Sequence, residues 1–355
     1  AMATRERAGP PRIEHLFEFS GDAREYFRIW VVNLALGIVT LGVFSAWAKV
    51  RRTQYFYRNT RLAASCFDYH GKPIAILKGR LVAVVLLAIY FVADQLSPLY
   101  GLAAFAVLAL VLPWLLARSF RFRLHNTSYR GIRFRFRGKT GSAYWVFLGM
   151  PILALLSFFT LVPLAHHRIK RYQIANSSFG NQSLTFHAEP WEFYRTYIIA
   201  GLVGGFLFGA AVFVLFVVTA VARQGGTDAS AAAGSTVALL LFLVLYASGI
   251  VGSQAIVTSW IQNESWGRAR LGPHRIFCTI EPLKLCWILL TNLALTLITL
   301  GLFRPFAQVR LARYLLSEVA LVLGGSLDEI AAAEGDEVSA FGEEAASMFD
   351  FDIAF

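Results

Sequence analysis

Seven stretches of this sequence carry no charged side chain, and most of them are about as long as a helix that crosses a membrane. They cover residues 29–47, 81–93, 101–117, 141–165, 197–222, 234–262 and 285–303. Such a helix needs about 20 apolar residues to cross about 30 Å of hydrocarbon. The chain is 57% hydrophobic and 15% charged, whereas soluble domains average about 45–50% and about 25%. We therefore expect an α-helical multi-pass membrane protein.

The N-terminal region and the cysteines indicate the compartment. The first residues carry arginines and prolines where a cleavable signal peptide has an apolar core, so the first apolar stretch is expected to direct membrane insertion. Cys66, Cys278 and Cys286 have neither the spacing of metal ligands nor an even number. We interpret them as ordinary thiols in a reducing compartment.

The basic residues are distributed unevenly. All 33 Lys and Arg lie at or before Arg313, whereas nine of the 22 acidic residues lie in 328–355. Basic side chains fill most linkers and are almost absent from residues 94–101 and 223–235. Because cytoplasmic loops are rich in Lys and Arg, these two loops are predicted to be periplasmic and the other linkers and the C-terminus cytoplasmic. The same rule explains the net positive charge of the chain, so nucleic-acid binding is not needed to account for it.

Three apolar stretches, 29–47, 141–165 and 285–303, have basic residues on both sides. We predict that each is a re-entrant hairpin that enters half of the bilayer and returns. Residues 29–39 would form about 16 Å of helix at about 1.5 Å per residue, and Gly42 would supply the turn. The middle stretch is predicted to break at Pro151 or Pro163. The alternative is seven ordinary crossings with an imperfect charge bias.

Internal repeats support this scheme. Residues 33–55 match 292–314 at twelve of 23 positions, and an offset of 117 aligns FEFSG at 17–21 with FRFRG at 134–138. Many transporters consist of duplicated units with broken helices. The predicted segments are an arm at 1–16, a first repeat at 17–117, a second at 118–259, a third half-repeat at 260–327 and an acidic, disordered tail at 328–355.

The basic linkers also repeat a local pattern. An Asn at 59, 126, 176 and 263 comes eight residues before an apolar residue that opens an alternating run. Alternation indicates half-buried strands, and Asn indicates turns. We predict a small cytoplasmic β layer. The alternative for residues 120–138 is a segment lying flat on anionic lipid, with Phe buried and Arg on the headgroups.

Several motifs resemble one family. The F-x-F-x-G opening, Thr-Leu-Gly at 40–42, Ala-Trp-Ala-Lys-Val-Arg at 46–51, Tyr-x-x-x-Asn-Thr at 55–60 and Phe-Asp-Tyr-His at 67–70 are similar to those of the bacterial YjgN-like inner-membrane proteins, a domain family of unknown function. The resemblance covers roughly residues 17–320 and leaves out the acidic tail. It implies a multi-pass inner-membrane protein and assigns no activity.

Polar residues inside the apolar hairpins are candidates for a transport pathway. Polar groups in hydrocarbon face protein or a cavity. The equal alternative is hydrogen bonding between helices. The pathway candidates are Asn33, Thr40, Gly42, Asn292, Thr299 and Gly301.

Two further sets recur at equivalent positions. Arg51, Arg168 and Arg310 at the hairpin feet are candidate contacts for an anionic headgroup, or simple interfacial anchors. His70 and His187 are a candidate pH-sensing pair, because histidine titrates near pH 6.5. Their alternative role is to end a strand before a helix that begins with proline.

Enzyme signatures are missing from the sequence, which has no phosphate-binding loop, no zinc-protease motif and no nucleophile elbow. We expect no enzyme, no cofactor and no metal. The favoured function is transport of an anionic or amphiphilic solute or lipid. The alternative is a non-transporting scaffold that binds anionic lipid or protein partners through its basic cytoplasmic face. Membrane lipids are the expected partners, and the sequence leaves protein partners and homo-oligomers open.

Overall fold

The computed structural model describes residues 14–224 and 228–324, so the acidic tail at 328–355 and the first thirteen residues lie outside it. The helices of the described part are α1 (Ala23–Val39), α2 (Ser45–Arg58), α3 (Pro73–Leu96), α4 (Pro98–His125), α5 (Thr140–Tyr144), α6 (Met150–Leu156), α7 (Val162–Ala175), α8 (Pro190–Gln224), α9 (Asp228–Gly267), α10 (Pro282–Ile298) and α11 (Arg304–Ser317). A π-helical turn, Trp145–Gly149, joins α5 to α6.

Short strands lie between the helices. They are β1 (Glu14–Leu16), β2 (Glu18–Phe19), β3 (Thr60–Leu62), β4 (Ser65–Tyr69), β5 (Thr127–Tyr129), β6 (Ile132–Phe136), β7 (Ser177–Phe179), β8 (Gln182–Thr185), β9 (Arg270–Leu271), β10 (His274–Cys278) and β11 (Val319–Val322). The linkers with alternating residues therefore form strands. Of residues 120–138, the first six belong to α4 and β5 and β6 pair into the sheet, which favours the strand interpretation over a segment lying flat on lipid.

The strands form one antiparallel sheet that closes into a barrel. Its order is β1-β11-β10-β9-β8-β7-β6-β5-β4-β3-β2. The two outermost strands, β1 and β2, are separated only by Phe17, whose amide donates to the Val319 carbonyl oxygen at 3.1 Å. One N-terminal segment therefore pairs with β11 on one side and with β3 on the other. This closure leaves the sheet of the described residues without a free edge, which protects it from pairing with other chains.

Two-residue turns connect four strand pairs, at 63–64, 130–131, 180–181 and 272–273. The first residue of each turn has a positive φ of 45–55°, as the tight turns of twisted hairpins require. Because consecutive hairpins run side by side, all four turns lie at one end of the barrel. The helices leave from the opposite end.

Asparagines end the helices that lead into three of these hairpins. Asn59, Asn126 and Asn176 follow α2, α4 and α7, and each Nδ2 donates to the carbonyl oxygen four residues earlier at 2.7–2.8 Å. The carbonyl oxygens of these asparagines also accept hydrogen bonds, at 2.8–2.9 Å, from the backbone amides that follow β2, β4 and β6. The donors are Ser20, His70 and Arg137. The repeated asparagine thus satisfies helix-end carbonyls and joins neighbouring hairpins.

The helices form a ring in the same order as the chain. Each helix packs against its chain neighbours, and α11 packs against α1. They make five pairs that begin and end on the barrel: α1 with α2, α3 with α4, α5 and α6 with α7, α8 with α9, and α10 with α11. The pairs alternate between short and long along the chain.

Four helices in the described ranges are long and apolar enough to cross a membrane, namely α3, α4, α8 and α9. These helices extend beyond the uncharged stretches of the sequence from which they were predicted. Residues 94–96 belong to α3 and residues 98–101 to α4, so the predicted loop at 94–101 reduces to Ser97. In the same way, most of residues 223–235 is helical, and 225–227 lie outside the described residues.

The three short pairs turn sharply at apolar tips. Leu41 and Gly42 have φ of +49° and +89°, and Leu300 and Gly301 have +50° and +93°. The Gly42 amide donates to the Gly37 carbonyl oxygen at 2.8 Å, the six-to-one bond that commonly ends a helix. Leu41 and Leu300 are 95% and 94% exposed.

The middle short pair breaks at neither predicted proline. Pro163 lies in the first turn of α7, where proline is tolerated because the amide it lacks needs no partner. Pro151 follows the π-helical turn, and the helix continues through it to Leu156. The break follows Ser157, with Phe158 and Phe159 at φ of +51° and +65°.

A tyrosine closes the foot of each short pair. The hydroxyls of Tyr55, Tyr172 and Tyr314 donate to the carbonyl oxygens of Asp22, Lys139 and Glu281 at 2.7, 3.3 and 3.2 Å. In each case the bond joins the end of the second helix to the residue before the first helix. Equivalent tyrosines therefore make equivalent contacts at offsets of 117 and 259 residues.

Replacement of Gly42 by alanine is expected to destabilise the protein by about 1–2 kcal/mol, because a side chain at a left-handed position meets its own backbone. Space is not the cause, since an added Cβ would meet no atom within 4 Å. Thermal unfolding in detergent micelles measures the loss. Gly37→Ala is the matched control, as it lies within α1 with equal space and improves helix propensity. Equal behaviour of both variants would contradict the prediction.

Candidate functional site

The inside of the barrel carries a layer of stacked aromatic rings. The centroids of Phe67 and Tyr129 are 4.7 Å apart, as are those of Phe134 and Phe179. Phe17 from the closing segment stacks on Phe67 at 6.0 Å. These side chains point inward because alternate residues of a strand face the same side. The layer gives the inside of the barrel an apolar surface.

Next to this layer lies a cavity of about 150 Å³, which we call the chamber. Its lining includes barrel residues such as Leu62, Leu184 and Ile276. It also includes side chains from the ends of α2, α4, α9 and α11: Phe56, Tyr57, Arg123, Leu124, Trp266, Ala312 and Leu316. The chamber thus lies where the helix ring meets the barrel. A volume of this size matches a benzene-sized group.

The serine and threonine hydroxyl groups of the chamber lining are already hydrogen-bonded. Thr60, Thr127 and Ser177 each donate to the carbonyl oxygen four residues earlier, at 2.8, 2.9 and 2.7 Å. Arg123 is the only lining residue with a charged side chain. The chamber therefore presents an apolar surface with one guanidinium at its boundary, an arrangement that fits a molecule with an apolar part and an anionic part.

Tyr129 fixes the barrel wall at the chamber. Its hydroxyl donates to the Leu62 carbonyl oxygen at 2.6 Å, linking β5 to β3 across β4. Burial raises the pKa of the Tyr129 phenol. The group therefore stays a neutral donor at physiological pH.

The third short pair brings two of the predicted site residues together. Arg310 donates to the Thr291 hydroxyl at 2.8 Å and to Asn292 Oδ1 at 3.3 Å, and Asn292 Nδ2 donates to the Ala307 carbonyl oxygen at 3.3 Å. These bonds hold α10 against α11. Asn292 is buried. Its contacts are those expected of a residue that holds two helices together by hydrogen bonds.

The equivalent residues of the other pairs differ. Asn33 Oδ1 is buried and has no hydrogen-bond partner among the described residues. The Arg51 guanidinium lies 5.6 Å from the centre of the Phe44 ring, and Arg168 Nε is buried without a described partner. The three arginines thus have three different environments, and their role as headgroup contacts stays a prediction.

The predicted threonines are part of the hairpin turns. Thr40 donates to the Leu36 carbonyl oxygen at 2.7 Å and accepts the Phe44 amide at 2.9 Å. Thr299 makes the same two bonds, to Leu295 and Phe303, at the same distances. Ser157 repeats the pattern in the middle pair with Ala154 and Leu161. The hydroxyls of these three residues are therefore hydrogen-bonded within the turns. The backbone amides of Gly42 and Gly301 are hydrogen-bonded there as well.

The two histidines lie on different hairpins. His70 Nε2 is 2.8 Å from the Ser128 hydroxyl, and His187 Nε2 is 3.1 Å from that of Thr185. Each is exposed, follows a strand and precedes a helix that begins with proline. The structure gives them no contact with each other, and pH sensing stays a prediction.

The cysteines and the neighbouring histidines have separate environments. Cys66 is exposed, whereas burial raises the pKa of the Cys278 thiol to about 12, which keeps it protonated. His166 contacts the Tyr197 hydroxyl and His167 the Ala188 carbonyl oxygen, both at 3.0 Å. Within residues 14–224 and 228–324, no three His, Cys, Asp or Glu side chains come close enough together to hold a metal ion.

Comparison with known proteins gives a family. A family model described as bacterial protein of unknown function (DUF898) matches residues 14–348. The match continues into the acidic segment, so the resemblance extends further than the motifs indicated. No solved structure is significantly similar to the chain.

Curated relatives are inner membrane proteins. The chain is 31% identical over 148 residues to the inner membrane protein YjgN of Escherichia coli O157:H7, covering 41% of this chain and 37% of that protein. It is 26% identical over 149 residues to the same-named protein of Salmonella typhimurium, covering 42% and 38%. The matched part thus spans less than half of the relatives' length.

Proposed function

Because this chain belongs to the DUF898 family of bacterial proteins and resembles the YjgN inner membrane proteins, we propose that it moves an anionic amphiphile, such as a lipid, across or within the inner membrane. The chamber would receive the end of the apolar chain, and Arg123 would attract the anionic group. The proposal assigns no chemical reaction to the protein.

The chamber is the observation that carries this proposal. It combines a closed aromatic wall, helix ends from four different pairs and one charged side chain. Two of those helices, α4 and α9, are long enough to cross the membrane. An acyl chain leaving the bilayer between helix ends would therefore move from one apolar environment into another. Such a transfer costs little free energy, because the methylenes stay out of water throughout.

The arrangement of the helix pairs supports a topology with four crossings and three re-entrant hairpins. All five pairs begin and end on one barrel, so each must return to the side from which it left. The short pairs end in exposed apolar tips at Leu41, Phe158 and Leu300, which fit the hydrocarbon of one leaflet. The basic linkers favour a cytoplasmic position for the barrel.

Exposed arginines on the outer face of the barrel favour a second candidate function. Arg133, Arg270 and Arg275 are exposed strand residues. A basic face of this kind would let a non-transporting scaffold bind anionic lipid or acidic protein partners.

Filling the chamber tests the transport proposal. Proteoliposomes with fluorescent phosphatidylglycerol are expected to show faster transbilayer movement of the lipid than empty liposomes. Ala312→Phe, which adds a ring to the chamber lining, is expected to slow this movement at least tenfold. Arg123→Gln is expected to slow phosphatidylglycerol more than phosphatidylcholine, because only the former carries a net negative charge.

Leu302→Phe is the matched control, because it enlarges a residue that is 54% exposed just before the same helix. It should transport like the wild type. Equal rates for wild-type and empty liposomes would refute transport and leave the scaffold. Equal slowing by Leu302→Phe would refute the role of the chamber.

A further inference from the structure

A second cleft lies on the outer face of the barrel, at the foot of α8 and α9. It has a volume of about 290 Å³, and its lining includes His187, Arg268, Arg270, Arg275 and Phe277. Four of these five side chains are basic or can become so. The cleft is separate from the chamber, since the two have no lining residue in common.

Two arginines of the cleft lie directly opposite each other. Arg275 of β10 pairs with Arg270 of β9 in the antiparallel register. Such cross-strand partners have their Cβ atoms about 4.5–5.5 Å apart, and like charges there repel each other. No described residue forms an ion pair with either arginine. The protein therefore holds two positive charges together at a cost that a bound anion would offset.

The acidic residues beside the cleft bind the third arginine. Arg268 Nε is 2.9 Å from Glu264 Oε1, and its Nη1 is 3.3 Å from Glu189 Oε1. These contacts fix the Arg268 side chain at the edge of the cleft. Glu189 and Glu264 are not within ion-pair distance of Arg270 or Arg275, so the charge of the opposed pair stays available to a ligand.

The position of the cleft indicates where its ligand comes from. Gly267 ends α9, and His187 precedes α8, both of which are long enough to cross a membrane. Two aromatic side chains at this foot are exposed, Trp191 by 63% and Phe277 by 43%. Trp and Tyr rings at the ends of membrane helices lie at the level of the lipid headgroups, which fits Trp191 in the first turn of α8.

We propose that Arg270, Arg275 and His187 form a binding site for a phosphate monoester group. Two guanidinium groups offer several donors in a planar geometry that suits phosphate oxygens, and His187 adds a ring N–H donor. The phosphate belongs either to a lipid headgroup such as that of phosphatidic acid or to a soluble phosphate compound. This inference rests on the membrane location of α8 and α9 and is independent of transport.

Native mass spectrometry of the delipidated full chain in neutral detergent tests the site. Titration with phosphatidic acid is expected to show one lipid bound more tightly than phosphatidylcholine. The double variant Arg270→Gln with Arg275→Gln is expected to bind phosphatidic acid at least tenfold more weakly. Arg61→Gln, an exposed strand arginine opposite Cys66 on another hairpin, should bind like the wild type.

Competition with inorganic phosphate distinguishes the two sources. Displacement of the lipid supports a site that takes soluble phosphate, and its absence supports a site for the lipid headgroup. Equal binding of phosphatidic acid and phosphatidylcholine by the wild type would overturn the proposal. So would an equal loss in Arg61→Gln, since the effect would then be one of general charge.

A stability measurement separates binding from a structural role. Without ligand, the double variant is expected to unfold at a higher temperature than the wild type, because the repulsion between the opposed arginines is gone. With phosphatidic acid, only the wild type is expected to gain stability, because the ligand binds its folded state. A lower unfolding temperature of the unliganded double variant would show that the arginines stabilise the fold, and would overturn the proposal.

Discussion

Cysteines placed at Ala64, Arg133 and Asn181 are expected to resist an impermeant thiol reagent in intact cells and to react after the membrane is inverted. These three positions are exposed and lie on three hairpins of one barrel, so they must share one side of the membrane. A cysteine at Leu96, which is 72% exposed beside the short connection of α3 and α4, should react from outside. The measurement is the labelled fraction of each variant, with Cys66, Cys278 and Cys286 replaced.

The labelling pattern distinguishes re-entrant short pairs from seven ordinary crossings. If Asn181 were labelled from outside while Arg133 were protected, the middle short pair would cross the membrane in the ordinary way. The barrel could not then exist, since β6 pairs directly with β7. Permeabilised cells serve as the control, because all four cysteines should react there. Failure of one position to react even then would mean that this site is buried and carries no topological information.

Loss of one ring from the aromatic layer is expected to cost about 3–5 kcal/mol of unfolding free energy, the usual range for a buried Phe→Ala change. Phe179→Ala is the variant, because Phe179 is 4% exposed and its ring packs at a tilt against those of Phe134 and Tyr129, with centroids 4.7 and 5.9 Å apart. Denaturant unfolding in detergent micelles, followed by aromatic absorbance, measures the loss.

Phe277→Ala is the matched control for this prediction. Phe277 is also a strand phenylalanine, but it points out of the barrel and is 43% exposed. Its replacement should change the unfolding free energy by about 0.5 kcal/mol or less. Similar losses in both variants would mean that the inside of the barrel is not a packed core.

Local patterns in the sequence predicted most of the elements. The repeated asparagine and the alternation after it gave the strands of the linkers, because turn chemistry and side-chain period are properties of neighbouring residues. The break of the middle short pair was also readable. Ser157 lies 117 residues after Thr40, at the offset already found for other residues, and it makes the bonds of Thr40. Pro151 and Pro163 pointed to other positions for the break.

Closure of the barrel could not be read from the sequence. Phe17 binds Val319 through a backbone amide and a carbonyl oxygen, groups that every residue carries. The chamber was missed for a related reason. Trp266 and Ala312 line it only because two distant helices end at the same place. Their spacing along each helix is compatible with many other partners. The like-charged pair of Arg270 and Arg275 likewise depends on a register that a one-residue shift would remove.

Closure also sets the order in which the protein can be completed during synthesis. The N-terminal segment at residues 14–19 is the first strand to leave the ribosome, and its second partner, Val319–Val322, is the last. Each hairpin of the barrel can pair locally as it emerges, but until residue 322 is made two strand edges stay unpaired beside a growing set of membrane helices. A nascent chain therefore exposes pairing edges from the synthesis of β2 until that of β11. Any factor that binds free strands would find its target before the last strand arrives and not afterwards.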